Sequence, residues 1–195
     1  MIPVATIYDK VSGDYDSIYT SEACMAEDSQ VAEELANALR AVPAGGTVLD
    51  LGCGTGKFLE LLPDAGGLSY LGVDPSRGML DLAASRYPDQ AFACMDSDEA
   101  VAARLFFADA VVALFGSASY FSIESLRKIA QLRPPVVFLM TMDPGYLPPY
   151  YAEVDDGTRF EVAKQYLAAR SEVTKLSDRT IRVGDHAEIG LVFNV

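Results

Sequence analysis

The chain has 195 residues, half of them hydrophobic and 22% charged, with 15 Lys and Arg against 28 Asp and Glu and a formal net charge of -13. That length and balance fit one globular domain over 1–195 with a core of its own, and they exclude a disordered chain. Acidity without any run of Lys or Arg opposes binding to phosphate backbones, and three scattered cysteines and one histidine supply neither a disulfide framework nor a zinc site.

The N-terminus lacks a basic stretch followed by an apolar one, so no signal peptide is expected. No apolar run reaches the roughly 20 residues of a membrane span, and a reducing cytoplasm is the expected compartment. Residues 1–42 read as an N-terminal helical cap segment. Within it Ser29 to Val42 places Val31, Leu35, Ala38 and Leu39 at helical spacing.

Beyond it, apolar runs alternate with helical segments. Thr47 to Leu51 meets a glycine cluster, and Lys57 to Leu62 follows as a helix. Leu68 to Val73 meets Asp74-Pro75, and Ser76 caps a helix to about Arg86, before Pro88. Ala91 to Met95 meets Asp96, with a helix over Asp98 to Phe107. Ala110 to Phe115 meets Gly116-Ser117, with a helix over Ile123 to Leu132. Val136 to Thr141 is the fifth run. Uninterrupted apolar strands separated by helices predict a doubly wound, mostly parallel α/β sheet with its site at the strand carboxyl ends.

After residue 143 the pattern changes. The stretch Tyr146-Leu147-Pro148-Pro149-Tyr150-Tyr151 reads as a loop, and 143–170 as a substrate lid, with a weak helix over Thr158 to Arg170. Thr180 to Val183 and Glu188 to Phe193, joined around Gly184-Asp185, predict an antiparallel C-terminal hairpin at the sheet edge.

The chemistry concentrates in Asp50-Leu51-Gly52-Cys53-Gly54-Thr55-Gly56, a glycine loop between a strand and a helix. The dinucleotide fingerprint requires a third glycine where Lys57 stands, so it fails. The phosphate loop of nucleoside triphosphatases fails as well, because Leu51 stands where its first glycine belongs and Phe58 follows Lys57.

The loop with its preceding acidic residue resembles the first motif of class I, Rossmann-like S-adenosylmethionine-dependent methyltransferases. Asp74 closes the second strand 24 residues after Asp50, Asp96 closes the third, and Ala110 to Tyr120 is similar to the family's fourth motif. The resemblance implies a seven-stranded sheet and a small-molecule methyltransferase, nearest the sugar-amine N-methyltransferases. S-adenosyl-L-methionine would be the cofactor and S-adenosyl-L-homocysteine the product. It implies a cofactor set of Tyr15, Asp50, Gly52, Cys53, Gly54, Gly56, Asp74, Pro75, Met79, Met95, Asp96, Ser97 and Phe115.

Alternatives stay open at several of these. Asp74 and Asp96 each either bind the ligand or cap the following helix. Asp50 either touches the cofactor or orients the loop. Cys53 and Cys94 also read as inert packing residues. Relatives of this kind place N-terminal tyrosines over the cofactor and a polar aromatic beside the acceptor. Tyr120 is thereby the candidate acceptor-orienting, catalytic group, with Tyr19 on the substrate side, and Tyr146 and Tyr150 of the expected lid loop are further candidates to line the acceptor. His186 has a suitable intrinsic pKa but lies far in sequence from every motif.

Leu147-Pro148-Pro149-Tyr150 resembles the flipped-base motif of DNA amino-methyltransferases, but it carries leucine at the amide position and follows the fifth strand. The expected partner is therefore a small-molecule acceptor, an amine before a hydroxyl, with no nucleic acid, membrane or metal. The pocket would be open or completed by a second copy in a homodimer. The competing reading is a catalytically silent S-adenosylmethionine-binding module on the same fold.

Overall fold

The apolar runs fold into β1 (Thr47–Leu51), β2 (Ser69–Asp74), β3 (Ala91–Cys94), β4 (Ala110–Ala113) and β5 (Val136–Met142), followed by the hairpin β6 (Arg179–Val183) and β7 (Ala187–Phe193). The computed structural model describes residues 4–63, 67–103 and 108–193. The strands form one seven-stranded sheet in the order β3-β2-β1-β4-β5-β7-β6. β1 to β5 run parallel, while β7 is antiparallel to both β5 and β6.

Both faces of the sheet are covered, which is why its central strands read as unbroken hydrophobic runs. Val48, Val112, Phe138 and Met140 pack into one core layer. Leu49, Val111, Val137 and Leu139, alternating with them, pack into the other. The helices α1 (Val4–Val11), α2 (Tyr15–Ile18), α3 (Glu22–Leu39), α4 (Lys57–Leu61), α5 (Arg77–Arg86), α6 (Ser97–Ala102), α7 (Ile123–Leu132) and α8 (Asp156–Leu176) complete the chain.

Several elements depart from expectation. α3 begins seven residues before the expected Ser29, capped by the Ser21 hydroxyl on the Cys24 amide. Its buried residues are Val31, Leu35, Ala38 and Leu39, so the first two turns carry no apolar stripe for periodicity to detect. β4 ends at Ala113 because Phe115 and Gly116 take positive φ, 47° and 86°, and turn the chain across the sheet edge. The expected helix over Asp98 to Phe107 is described as Ser97–Ala102, and residues 104–107 lie outside the described residues.

Part of the segment expected as a lid packs into the core. Tyr151 and Tyr166 are buried, and α8 runs for 21 residues from its Asp155 cap, whose carboxylate accepts from the Thr158 amide at 3.0 Å. Its buried residues are the narrow apolar stripe Val162, Tyr166, Ala169 and Val173 together with Glu172, which hides the helix among polar residues. Among the described residues no helix is long and apolar enough to cross a membrane.

β7 joins the hairpin to the parallel sheet, and its central Ile189 is fully buried between Met140 and Ile181 in the strand register. Replacing Ile189 with alanine is expected to cost about 2–5 kcal/mol, read as a lower denaturant midpoint at unchanged slope.

Candidate active site

The end of β2 fastens the glycine loop. The Gly52 and Cys53 amides donate to the Val73 carbonyl at 2.7 and 3.0 Å, and the Gly54 amide donates to Asp74 Oδ2 at 2.9 Å. Gly52 and Gly56 have no substitute here. Both have positive φ, and a Cβ would overlap Ser117 at the first and the Tyr87 ring at the second.

Asp74 also accepts the Ser76 amide on Oδ1 at 2.8 Å, while the Ser76 hydroxyl caps α5 at the Met79 amide. The cap is therefore Ser76 and not Asp74. A carboxylate accepts about four hydrogen bonds, so Asp74 keeps acceptor capacity for a ligand. Burial pushes its carboxyl up to about 6, against the pull of the Ser76 and Gly54 amides and with a further rise from Asp9. Asp96 does cap its helix. Its carboxylate accepts the Glu99 amide at 2.8 Å and Glu99 returns the bond to the Asp96 amide at 3.0 Å.

Asp50 is 1% exposed. Its Oδ2 accepts the Tyr70 hydroxyl at 2.9 Å, but its Oδ1 has no partner among the described residues. Burial pushes its carboxyl up to about 7, opposed by the Tyr70 bond and reinforced by the charge of Asp74.

The N-terminal segment is latched over this floor. Asp9 Oδ1 accepts the Ser76 hydroxyl at 2.6 Å and the Gly78 amide at 3.0 Å. Asp16 accepts the Thr55 hydroxyl at 2.8 Å and pairs with Arg86. The latch carries Tyr8, Tyr15 and Tyr19 into an aromatic cluster, with ring centroids 5.9 Å apart for Tyr8–Tyr15 and 5.2 Å for Tyr15–Tyr19.

Tyr120 lies at the centre of that cluster. Its hydroxyl accepts from Tyr8 at 3.3 Å and from Tyr151 at 3.2 Å, and bonds Tyr166. Tyr150 bonds Tyr8 at 2.8 Å. One phenol offers one proton and two lone pairs, so three phenol neighbours use the whole capacity of Tyr120. Burial pushes the phenols of Tyr8, Tyr15 and Tyr120 well above their usual range, which keeps them neutral.

One cleft of about 640 Å³ opens between the glycine loop and the tyrosine cluster. Of the expected cofactor residues, it brings together Tyr15, Asp50, Gly52, Cys53, Gly54, Asp74, Pro75, Met79, Asp96, Ser97 and Phe115, with Tyr19 and Tyr120 across from them. Gly56 stands behind the loop against Tyr87, and Met95 packs on the apolar layer beneath the sheet. Tyr150 backs the wall through Tyr8 and Tyr15 instead of lining it. Tyr146 stacks on His186 at 4.4 Å. Cys53 is buried in the cleft wall, whereas Cys94 is exposed and is no packing residue.

Sequence reasoning did not find Tyr8, Asp9, Asp16, Thr55 or Tyr166, whose partners are 39 to 112 residues away. It also set His186 aside. The register Met142↔Ala187 explains its presence in the cleft, because an antiparallel β7 begins at the carboxyl edge of the parallel strands.

A glycine loop at the end of β1, an acidic residue closing β2 and a seven-stranded sheet with reversed β7 define the class I S-adenosylmethionine-dependent methyltransferase fold. Residues 48–133 match the family described as "Methyltransferase domain". The mouse tRNA (carboxymethyluridine(34)-5-O)-methyltransferase ALKBH8 is 31% identical over 117 residues, 55% of this chain. The matched stretch spans only 17% of that protein. Magnesium protoporphyrin IX methyltransferase (ChlM) from Synechocystis PCC 6803, crystallised with bound SAM, superposes with a TM-score of 0.62 at 18% identity, over 98% of this chain and 95% of that one. The [4+2]-cyclase SpnF superposes with a TM-score of 0.61 at 15% identity, over 98% and 95%. Over residues 48–133 the chain is thus similar to methyltransferase domains, on a fold that also hosts other chemistry.

A carboxyl with a raised folded-state pKa stabilises the fold below its unfolded pKa, and that contribution is lost as pH rises through the folded value. For Asp50 the window runs from about 4 to about 7. The ligand-free protein is expected to lose thermal stability from pH 5 to pH 8, and Asp50→Asn to lose less, as followed by thermal melts across that range.

Proposed function

We propose that this chain transfers a methyl group from S-adenosyl-L-methionine to a small-molecule acceptor, an amine in preference to a hydroxyl. The observation that carries the reading is Asp50 Oδ1, a buried carboxyl oxygen in the wall of the cleft with no partner among the described residues. An orphaned buried acceptor is costly, and a cationic donor such as the ammonium of the cofactor's methionine part satisfies it.

The residues present fit that cofactor. Asp50 is suited to its ammonium, and the remaining capacity of Asp74 to a pair of ribose hydroxyls. Gly52, Cys53 and Gly54 let the backbone come close, with Pro75, Met79, Asp96 and Ser97 on the nucleoside side. Tyr15 and Phe115 close the cleft around the methyl-bearing end. The bound cofactor supplies a methyl group on a positively charged sulfur. The chain's own contribution is alignment and exclusion of water, through the latched N-terminal segment and the ring wall.

The cleft favours a cation. Glu27, Asp28 and Asp98 line it beside Asp16, which is paired with Arg86, and the lysine that lines it among the described residues, Lys57, is already paired with Asp28 at 2.8 Å and Glu60 at 2.7 Å. Neutral phenol faces attract an ammonium further. The net charge of -13 supports a small metabolite over a tRNA, the substrate in the mouse relative's name. Tyr120, with its hydroxyl fully engaged, serves this reading through its ring as an acceptor wall.

Calorimetric titration with S-adenosylmethionine and S-adenosylhomocysteine is expected to show binding of both and none of NAD. Asp74→Ala should weaken both about tenfold or more, since charge-assisted hydrogen bonds are worth roughly 1.5–3 kcal/mol each. No binding of either sulfur nucleotide to folded wild type would sink the proposal.

A further inference from the structure

The β6–β7 turn brings His186 into the cleft wall beside an acidic residue of α3. His186 Nδ1 stands 3.4 Å from Glu27 Oε1 on α3, and both residues line the cleft. His186 is the only histidine in the chain. Three features hold the pair in place. Tyr146 stacks on the imidazole with its ring centroid 4.4 Å away. The His186 carbonyl accepts the Asp143 amide at the end of β5, at 2.5 Å. Gly184, at φ 53°, brings the turn so close to Glu27 that any Cβ there would overlap the carboxylate. Among the described residues the Nε2 side of the ring has no hydrogen-bond partner.

The strand order separates the pair from the carboxylates of the glycine-loop side. His186 precedes Ala187, which pairs with Met142 of β5, and the Met142 side chain lies against Gly116, one residue from Phe115. Asp50 and Asp74 belong to β1 and β2, beyond β4 and β5 from β7 in the sheet.

We infer that Glu27 and His186 form the proton-accepting pair of the acceptor site. This rests on the methyltransferase reading above. An acceptor amine arrives as an ammonium, which has no lone pair for methyl transfer. One of its N–H bonds breaks, its electron pair stays on the acceptor nitrogen, and the proton passes to His186 Nε2. The imidazolium is held by the Glu27 carboxylate and by the face of Tyr146, then loses its proton to water. Tyr120 cannot take this role, because its phenol is neutral and its hydroxyl is fully bonded within the cluster.

The other charged and titratable groups around the pair are Asp28 on α3, Asp185 and Arg182 on the hairpin, and Tyr146, Asp143 and Cys24. Asp28 and Asp185 add negative charge and are left in place by the test.

The single histidine makes the test direct. In tag-free, isotope-labelled protein saturated with S-adenosylhomocysteine, the imidazole Cε1–H signal is titrated with pH by NMR, in wild type and in Glu27→Gln. Loss of the Glu27 charge is expected to lower the proton affinity of His186 about tenfold. Methylamine, benzylamine and glucosamine are then added as probes. At least one is expected to move the signal in wild type, with proton release that His186→Gln abolishes. Calorimetric affinity for S-adenosylhomocysteine should stay within twofold in both variants. An unchanged histidine midpoint in Glu27→Gln, or a signal that none of the amines moves, overturns the assignment. Failure of wild type to bind S-adenosylhomocysteine instead strikes the cofactor reading, and the histidine titration remains readable without it.

Discussion

Two amides and a third, in succession, are held by the last two residues of β2. Gly52 and Cys53 share the Val73 carbonyl, and Gly54 takes Asp74. This junction turns the chain away from β1 with its side chains out of the way, so that the loop forms a floor. Asp74 serves it twice, since its other oxygen orders the Ser76 amide and hence the start of α5. Ser76 in turn anchors Asp9 and with it α1. The cleft roof is therefore tied, through one serine, to the carboxylate that organises the floor.

That coupling places charge under tension. Asp50 and Asp74 are both buried, and burial hinders the ionisation of each; the charge of Asp74 hinders Asp50 further, and that of Asp9 hinders Asp74. Such carboxylates destabilise the empty site once ionised and become favourable when donors reach them. The site thus gives up some stability of the empty protein for affinity toward a ligand carrying positive charge and hydroxyls. The same preference extends across the cleft, where Glu27 and Asp28 face the aromatic wall.

The sheet was legible because parallel strands buried on both faces write their positions as apolar runs. β1 has the expected bounds, and β7 was found to within a residue. The glycine loop, Asp50 and Asp74 were legible because their spacing along the chain carries the chemistry. What stayed hidden depends on contacts that sequence order does not express. The first turns of α3 face the cleft and so lack an apolar stripe. The roles of Tyr146 and Tyr150 were read from proximity to a loop, whereas one stacks on His186 and the other backs Tyr8. His186 looked remote until the reversed direction of β7 brought its first residues to the site.

The account stands most directly on Asp50 as a protonated carboxyl waiting for a cation. The deciding measurement is the enthalpy of S-adenosylmethionine binding near pH 6 in buffers of different ionisation heat, for wild type and Asp50→Asn. Wild type is predicted to release protons on binding, because the ligand's ammonium draws Asp50 into its charged form. The release should be smaller in Asp50→Asn and vanish by about pH 9, where the carboxyls are already ionised. Binding without proton release near pH 6, or equal release from the variant, would contradict the assignment of Asp50 to the cofactor.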